Sequence, residues 1–288
     1  MFGIKSRDRI AFYCFYNKHG IADKYILYFL KGLKEVSERI VVIVNGEIQD
    51  DSLNKIRLIT PEIIIRDNKG FDAWAYKTGF KYVGWDRLAE YREVICCNSS
   101  VFGPLYPFND MFRKMDRQKS LDFWGITAHS LWNTTEYNNP YGYIPEHIQQ
   151  YFIVYRQKFI KTGDFQSYWE NLPELNTYAE AVGLFETVFT KHFSDLGYKW
   201  STYVQFKLDP KIYMNLLYFE PYKAVIEYKC PVIKRKSFYM PPYPIPYDSF
   251  LDQLKALVVY LNDTGIYHTG MILESFSHEL ADKSNSKK

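Results

Sequence analysis

The chain has 288 residues, 47% hydrophobic and 24% charged, with a net charge of +3. This is an ordinary soluble composition, able to bury a sizeable core. The charge is too mild for the basic patch of a nucleic-acid binder, and no apolar run reaches the 18 residues a membrane span requires.

In chain order, "RIAFYCFY" (Arg9 to Tyr16) reads as a buried strand and Ala22 to Ser37 as a helix. "RIVVIVN" (Arg39 to Asn45) and "EIIIRDN" (Glu62 to Asn68) are the next strands, and "FDAWAYKTGFKYV" (Phe71 to Val83) is a helix. "EVICCNSS" is the fourth strand, "PLYPFNDMFRKM" a short helix, and Leu121 to Ala128 a fifth strand. A polar loop from Ser130 to Pro145 has the length of a functional loop. His147 to Tyr155 resumes a strand, and Tyr178 to Tyr198 is a long helix closed by Gly197. Lys223 to Phe238 contains another strand or extended segment, and two helices follow from Tyr247, fraying in "ADKSNSKK". Strands alternating with helices predict an α/β fold with a mainly parallel, Rossmann-like sheet. Residues 1–240 would form that domain, with 241–288 a helical extension packed on it.

Cys14, Cys96, Cys97 and Cys230 have no metal-ligand spacing. They read as reduced, buried cysteines of a cytosolic protein. "MFGIKSRDRIAFYC" lacks the apolar region of a signal peptide. The pI of about 8.4 suits an anionic membrane surface or a phosphorylated substrate.

Four stretches could carry chemistry. In "VICCNSSVFGPL" a buried strand ends on Asn98, Ser99 and Ser100, where ligands sit in open α/β sheets. These residues either meet a ligand or only cap a turn. In "RDNKGFDAWAYKTG", Asp72 either caps a helix or, beside Gly70, binds a ribose or sugar hydroxyl. The glycine patterns of P-loops and dinucleotide folds are absent. In "FETVFTKHFSDLGY", Glu186 lies at the edge of the apolar side marked by Val182, Phe185, Phe189 and Phe193. Partial desolvation would raise its pKa and suit it to general-base work; otherwise it is a solvated surface glutamate. In "PVIKRKSF", Lys234, Arg235 and Lys236 are either a solvated edge or a diphosphate clamp.

These stretches, with "FWGIT" and "HIQQYFIVY", resemble in order the motifs of the rhamnan synthesis F family of bacterial polysaccharide glycosyltransferases. The resemblance runs from about Arg9 to beyond Phe238 and implies a GT-A-like fold. It implies an inverting enzyme that moves a rhamnose- or galactofuranose-type sugar from a dTDP- or UDP-linked donor to a growing, lipid-linked cell-surface polysaccharide at the inner face of the cell membrane. GT-A enzymes hold a divalent metal on an Asp-x-Asp motif. Asn98-Ser99-Ser100 resembles that place without carboxylates, and many relatives read Asn-Asp-Ser there. Asn98 is then the one candidate ligand for Mg or Mn, and amide and hydroxyl oxygens are weak ligands for hard cations. Glu186 would be the base. Tyr13, Asn45, Asn68, Asp72, Asn98, Ser100, Lys234 and Arg235 would bind the donor, and Trp124, His147, Gln149 and Tyr151 the acceptor. A non-catalytic glycan-binding or scaffold protein of a polysaccharide assembly complex is the rival expectation.

Overall fold

The computed structural model describes residues 7–206, 215–240 and 247–285. The strands are β1 (Arg7–Phe15), β2 (Arg39–Asn45), β3 (Ile63–Arg66), β4 (Tyr91–Asn98), β5 (Val101–Phe102), β6 (Phe123–Gly125), β7 (Ala128–His129), β8 (His147–Ile148), β9 (Phe152–Arg156), β10 (Trp200–Thr202) and β11 (Ile233–Lys234). The helices of the first half are α1 (Lys24–Lys34), α2 (Asp50–Arg57), α3 (Phe71–Val83), α4 (Trp85–Leu88) and α5 (Phe108–Met115). Next come α6 (Gln157–Ile160), α7 (Gly163–Glu170), α8 (Tyr178–Ala181) and α9 (Thr187–Asp195), and then α10 (Leu216–Phe219), α11 (Pro221–Ile226), α12 (Tyr247–Thr264) and α13 (Gly270–Asn285).

Seven strands form one sheet in the order β10-β6-β9-β4-β1-β2-β3. β9 runs antiparallel to β4 and β6, and the other pairings are parallel. The expected mainly parallel sheet flanked by helices is therefore present. Its central strands are covered on both faces, which is why they read as continuous apolar runs. In β1, Ala11, Tyr13 and Phe15 enter one apolar cluster, while Ile10, Phe12 and Cys14 enter the other. Fully burying a large apolar side chain such as Ile10, Phe12 or Phe15 contributes about 1.5–3 kcal/mol.

Several expected elements are shaped differently. The strand expected from Leu121 to Ala128 breaks after Gly125, and β7 leaves the sheet to pair with β8. A Cβ at Gly125 would stand 2.2 Å from Ile148 Cγ2, so only glycine lets the ribbon turn there. His147 to Tyr155 likewise divides into β8 and β9. Lys223 to Ile226 is helical rather than extended, because Pro221 opens α11 at its first position. Only Ile233–Lys234 forms a strand, followed by a 3-10 turn over Arg235–Phe238. Helix α2 lacks an apolar signal because its sequence, DDSLNKIR, buries only Ser52 and Ile56.

The helix from Tyr178 is continuous in course, but Val182–Glu186 is a π-turn. Gly197 ends it at φ +89°. At the C-terminus α12 packs on α11 and α13 on α1. Leu257, Leu261, Tyr267 and Met271 enter the same apolar cluster as Tyr13 and Val42, so the extension shares the main core. The helix continues through the expected frayed end as far as Asn285. Among the described residues no helix is long and apolar enough to cross a membrane.

Candidate active site

β1 to β4 end together, and their last residues hold one polar network. Asp72 Oδ1 accepts from Cys14 Sγ (3.2 Å), and Asn98 Nδ2 donates to Asp72 Oδ2. Asn98 Oδ1 accepts from the Ser100 amide (3.0 Å) and hydroxyl (2.6 Å). Arg66 Nη1 donates to Asn45 Oδ1 (2.6 Å), and Asn45 Nδ2 donates to the Phe71 carbonyl (3.1 Å). Two consecutive left-handed residues, Gly70 (φ +72°) and Phe71 (φ +53°), turn the chain so that Asp72 faces this network. A phenylalanine at positive φ is strained and must be held by its surroundings. Gly70 is the N-cap of α3, with no side-chain cap bond. Asp72 thus bonds across strands instead of capping its helix. Burial pushes its carboxyl above the ordinary range, against the bonds from Cys14 and Asn98.

Glu186 ends the π-turn, a local widening that recurs at functional sites. It is half-buried while Phe185, Phe189 and Phe193 enter the core, so it stands at the edge of the apolar side. It lines a cavity of about 170 Å³ with Lys234, Lys236, His129, His147 and Gln149. Lys234 at the end of β11 and Lys236 in the 3-10 turn both line this cavity, while Arg235 turns away from it. Arg235 Nη2 donates to Ser275 Oγ (2.9 Å), its backbone amide to the Ser100 carbonyl (3.0 Å), and its guanidinium lies over Tyr25. Burial pushes the Lys234 ammonium down to about 8, opposed by Glu186 and reinforced by Lys236. Burial also lowers Lys236. Each ammonium lies over an aromatic ring, Lys234 at 4.4 Å from Tyr151 and Lys236 at 4.2 Å from Tyr218.

His129 and His147 stack at 5.0 Å, and burial lowers both to about 4. Each Nδ1 lies 2.7 Å from a backbone carbonyl, Ser130 and Pro145 respectively. A carbonyl only accepts, so Nδ1 carries the proton and Nε2 is left as an acceptor. The loop from Ser130 closes against the π-turn: a Cβ at Gly183 would lie 1.9 Å from the Tyr137 carbonyl oxygen.

The remaining expected residues fall in three places. Asn68 is exposed near Gly46 at the rim, and Gln149 accepts from Thr127 Oγ1 at 2.8 Å beside the cavity. Tyr151 is buried beneath Lys234, its hydroxyl 2.5 Å from Thr127 Oγ1. Tyr13 and Trp124 are wholly buried core residues, and Trp124 Nε1 donates to Glu93 at 3.2 Å. Neither can contact a ligand in the crevice. Cys14, Arg66 and His129 belong to the site and were not expected. Strand alternation distinguishes Cys14 from Tyr13 only once the sheet's two faces are known.

The oxygens around Asn98 do not fit a hard divalent cation. Asn98 Oδ1 already accepts two bonds, and both Asp72 oxygens are engaged. Among the described residues no group of three or more His, Cys, Asp or Glu side chains is placed to hold a metal ion.

A mostly parallel α/β sheet with a polar crevice at its carboxyl ends is a Rossmann-like architecture. The chain belongs to the rhamnan synthesis protein F family, which it matches over residues 40–284. It is 23% identical over 190 residues to uncharacterized protein y4gN of Sinorhizobium fredii. That match covers 66% of this chain and 46% of y4gN, so the chain spans about half the length of this curated relative. A cytidylyltransferase from Leptospira borgpetersenii is similar at a TM-score of 0.42 and 11% identity, covering 91% of this chain and 100% of that one. A 4-diphosphocytidyl-2C-methyl-D-erythritol synthase is similar at 0.42 and 14%, covering 72% and 95%. Likeness at this level carries no function to the present chain.

Proposed function

We propose that this chain is an inverting glycosyltransferase of rhamnan-type polysaccharide synthesis, using a dTDP- or UDP-linked sugar. The observation that carries the reading is Glu186 facing Lys234 and Lys236 across one cavity beside the strand-end network. Asp72 and Asn45 would hold the nucleoside and sugar hydroxyls. Lys234 and Lys236 would neutralise the diphosphate as it departs, in place of a metal. Glu186 would take the proton of the acceptor hydroxyl during in-line attack on the anomeric carbon, and the proton leaves with the solvent afterwards. His147 and Gln149 would border the acceptor side. Family membership supports the polysaccharide role, and we place the work at the inner face of the cell membrane.

The test is thermal stabilisation by a panel of nucleotides and nucleotide sugars. A ligand that binds only the native state adds about 2.7 kcal/mol at 100 times its Kd. Stabilisation by UDP or dTDP supports a transferase. A protein that binds glycan but neither nucleotide is instead the scaffold component of an assembly complex.

A further inference from the structure

The turn that carries Lys234 and Lys236 is held from the side away from their cavity. Arg235 stands between the two lysines, and its Nη2 donates at 2.9 Å to Ser275 Oγ, a buried hydroxyl of α13. Its guanidinium lies 4.9 Å from the centre of the Tyr25 ring, and the Tyr25 hydroxyl donates to the Ser99 carbonyl at 3.0 Å. Its backbone amide donates to the Ser100 carbonyl at 3.0 Å, while the Ser100 amide and hydroxyl donate to Asn98 Oδ1. One residue therefore joins the C-terminal helix, α1 and the strand-end network to the cationic turn.

Helix α13 is in turn pinned to the start of α1. His278 Nδ1 lies 2.9 Å from Asp23 Oδ1, and a carboxylate only accepts, so the imidazole donates. Lys24 Nζ lies 3.4 Å from Glu274 Oε1. Asp23 is buried and makes no side-chain bond that caps α1, so its carboxylate serves α13 instead. Met271 and Ile272 seat the same helix in the core.

The turn needs such an anchor. Burial disfavours the charge on both lysines, and Lys236 adds to the effect on Lys234. A strongly hydrated ammonium on a flexible four-carbon stem tends to swing out to water. The contacts with the Tyr151 and Tyr218 rings hold only while the backbone from Lys234 to Lys236 keeps its place. The β11 ladder gives little help, since it spans two residues and pairs with β5 alone.

We infer that Ser275 is a positioning residue for the anion-binding side of the site. Through Arg235 it fixes the turn on which Lys234 and Lys236 meet a diphosphate, which makes α13 part of the active-site frame. The inference rests on the proposed function for the identity of the anion. Coupling between sites is reciprocal, so a diphosphate held by the two lysines must also favour docked α13.

The test is titration of the intact protein with UDP, dTDP, uridine, thymidine and inorganic diphosphate. Ser275→Ala should weaken the nucleotides and inorganic diphosphate about five- to tenfold. It should leave the nucleosides unchanged, because they carry no charge to meet the lysines. A purely structural loss would weaken nucleoside and nucleotide alike. Ser277→Ala is the control: this serine is exposed on the same helix, its hydroxyl bonds the Glu274 carbonyl at 2.7 Å, and the variant should bind as the wild type does. In hydrogen exchange, diphosphate should slow the α13 amides of the wild type, a readout that needs no variant, and should not slow them in Ser275→Ala. The inference is overturned if Ser275→Ala binds diphosphate as the wild type does, or if it weakens nucleosides equally. It is also overturned if diphosphate leaves α13 exchange in the wild type unchanged, or does not bind. If inorganic diphosphate binds the wild type but neither nucleotide does, the transferase reading fails, while the diphosphate titration of Ser275→Ala still decides the positioning role.

Discussion

At the amino end of the sheet, Arg9 and Glu93 are both buried and bonded at 2.6 Å. Asp116 and Arg156 complete that cluster, at 3.1 Å from Arg9 and 3.5 Å from Glu93. At the carboxyl end, Lys234 and Glu186 line one cavity with no ion pair between them among the described residues. The first cluster satisfies its charges with one another. The second keeps them apart, with the ammonium depressed to about 8 by burial. Desolvated charges without a partner cost stability, so a fold that keeps them points to a ligand that completes them. One end of the sheet satisfies its charges internally, and under the proposed function the other would take an anion and a hydroxyl.

The comparison breaks first at Glu186. Glu186→Gln keeps the shape but cannot accept a proton, so turnover should fall by about 10²–10⁴ while donor affinity barely moves. Stability should change by no more than about 0.5 kcal/mol. A wild-type turnover number in the variant would remove the base and favour the scaffold reading.

Arg9→Met tests the opposite end. It leaves Glu93 buried without its closest partner, which typically costs about 3–5 kcal/mol. Urea denaturation should show that loss, and the nucleotide affinity of the folded fraction should be unchanged. A loss below about 1 kcal/mol would mean that the amino-end cluster is not what secures the sheet.

Lys234 gives a signature in pH. Bound diphosphate favours the ammonium, so affinity should fall as pH rises through about 8, by up to about tenfold per unit. Its part in stability should move the other way. The unfolded lysine keeps its proton to about 10.5, so between pH 8 and 10.5 the contribution of Lys234 to stability rises with pH, against that of the buried cysteines, whose raised pKa values act the other way. The difference between the wild type and Lys234→Met should carry both of these contributions, while those of Lys236 and the buried cysteines remain in the variant. Affinity that stays level to pH 10 in the wild type would show that Lys234 does not meet the anion.

The smallest effect is expected at Asp72. Asp72→Asn should weaken donor binding by about tenfold, with the fold intact by circular dichroism. Unchanged affinity would reduce Asp72 to a brace between Cys14 and Asn98.

Much of the fold was legible in the sequence. Arg39–Asn45 and Phe71–Val83 are seen as expected, because a doubly covered strand and a helix closed by Gly84 each leave a local signature. The place of Glu186 at the edge of an apolar helix side was legible in the same way, as a charge set beside apolar spacing. Trp124 was misread because an amphipathic ring has the same letters in a core as in a sugar site. Arg235 was misread because three adjacent cations do not reveal which of them face the cavity and which turn to another helix.

By itself the sequence determined the α/β class, the order of the main strands, and the residue types gathered at their carboxyl ends. Periodicity and breakers act over a few residues, so they are readable locally. Only the tertiary structure decided that Cys14 rather than Tyr13 meets Asp72, that Arg235 turns to Ser275, and that β7 leaves the main sheet to pair with β8. Those outcomes depend on which face of each strand the rest of the chain covers, and on contacts between residues 58 and 40 positions apart. No local pattern carries that information.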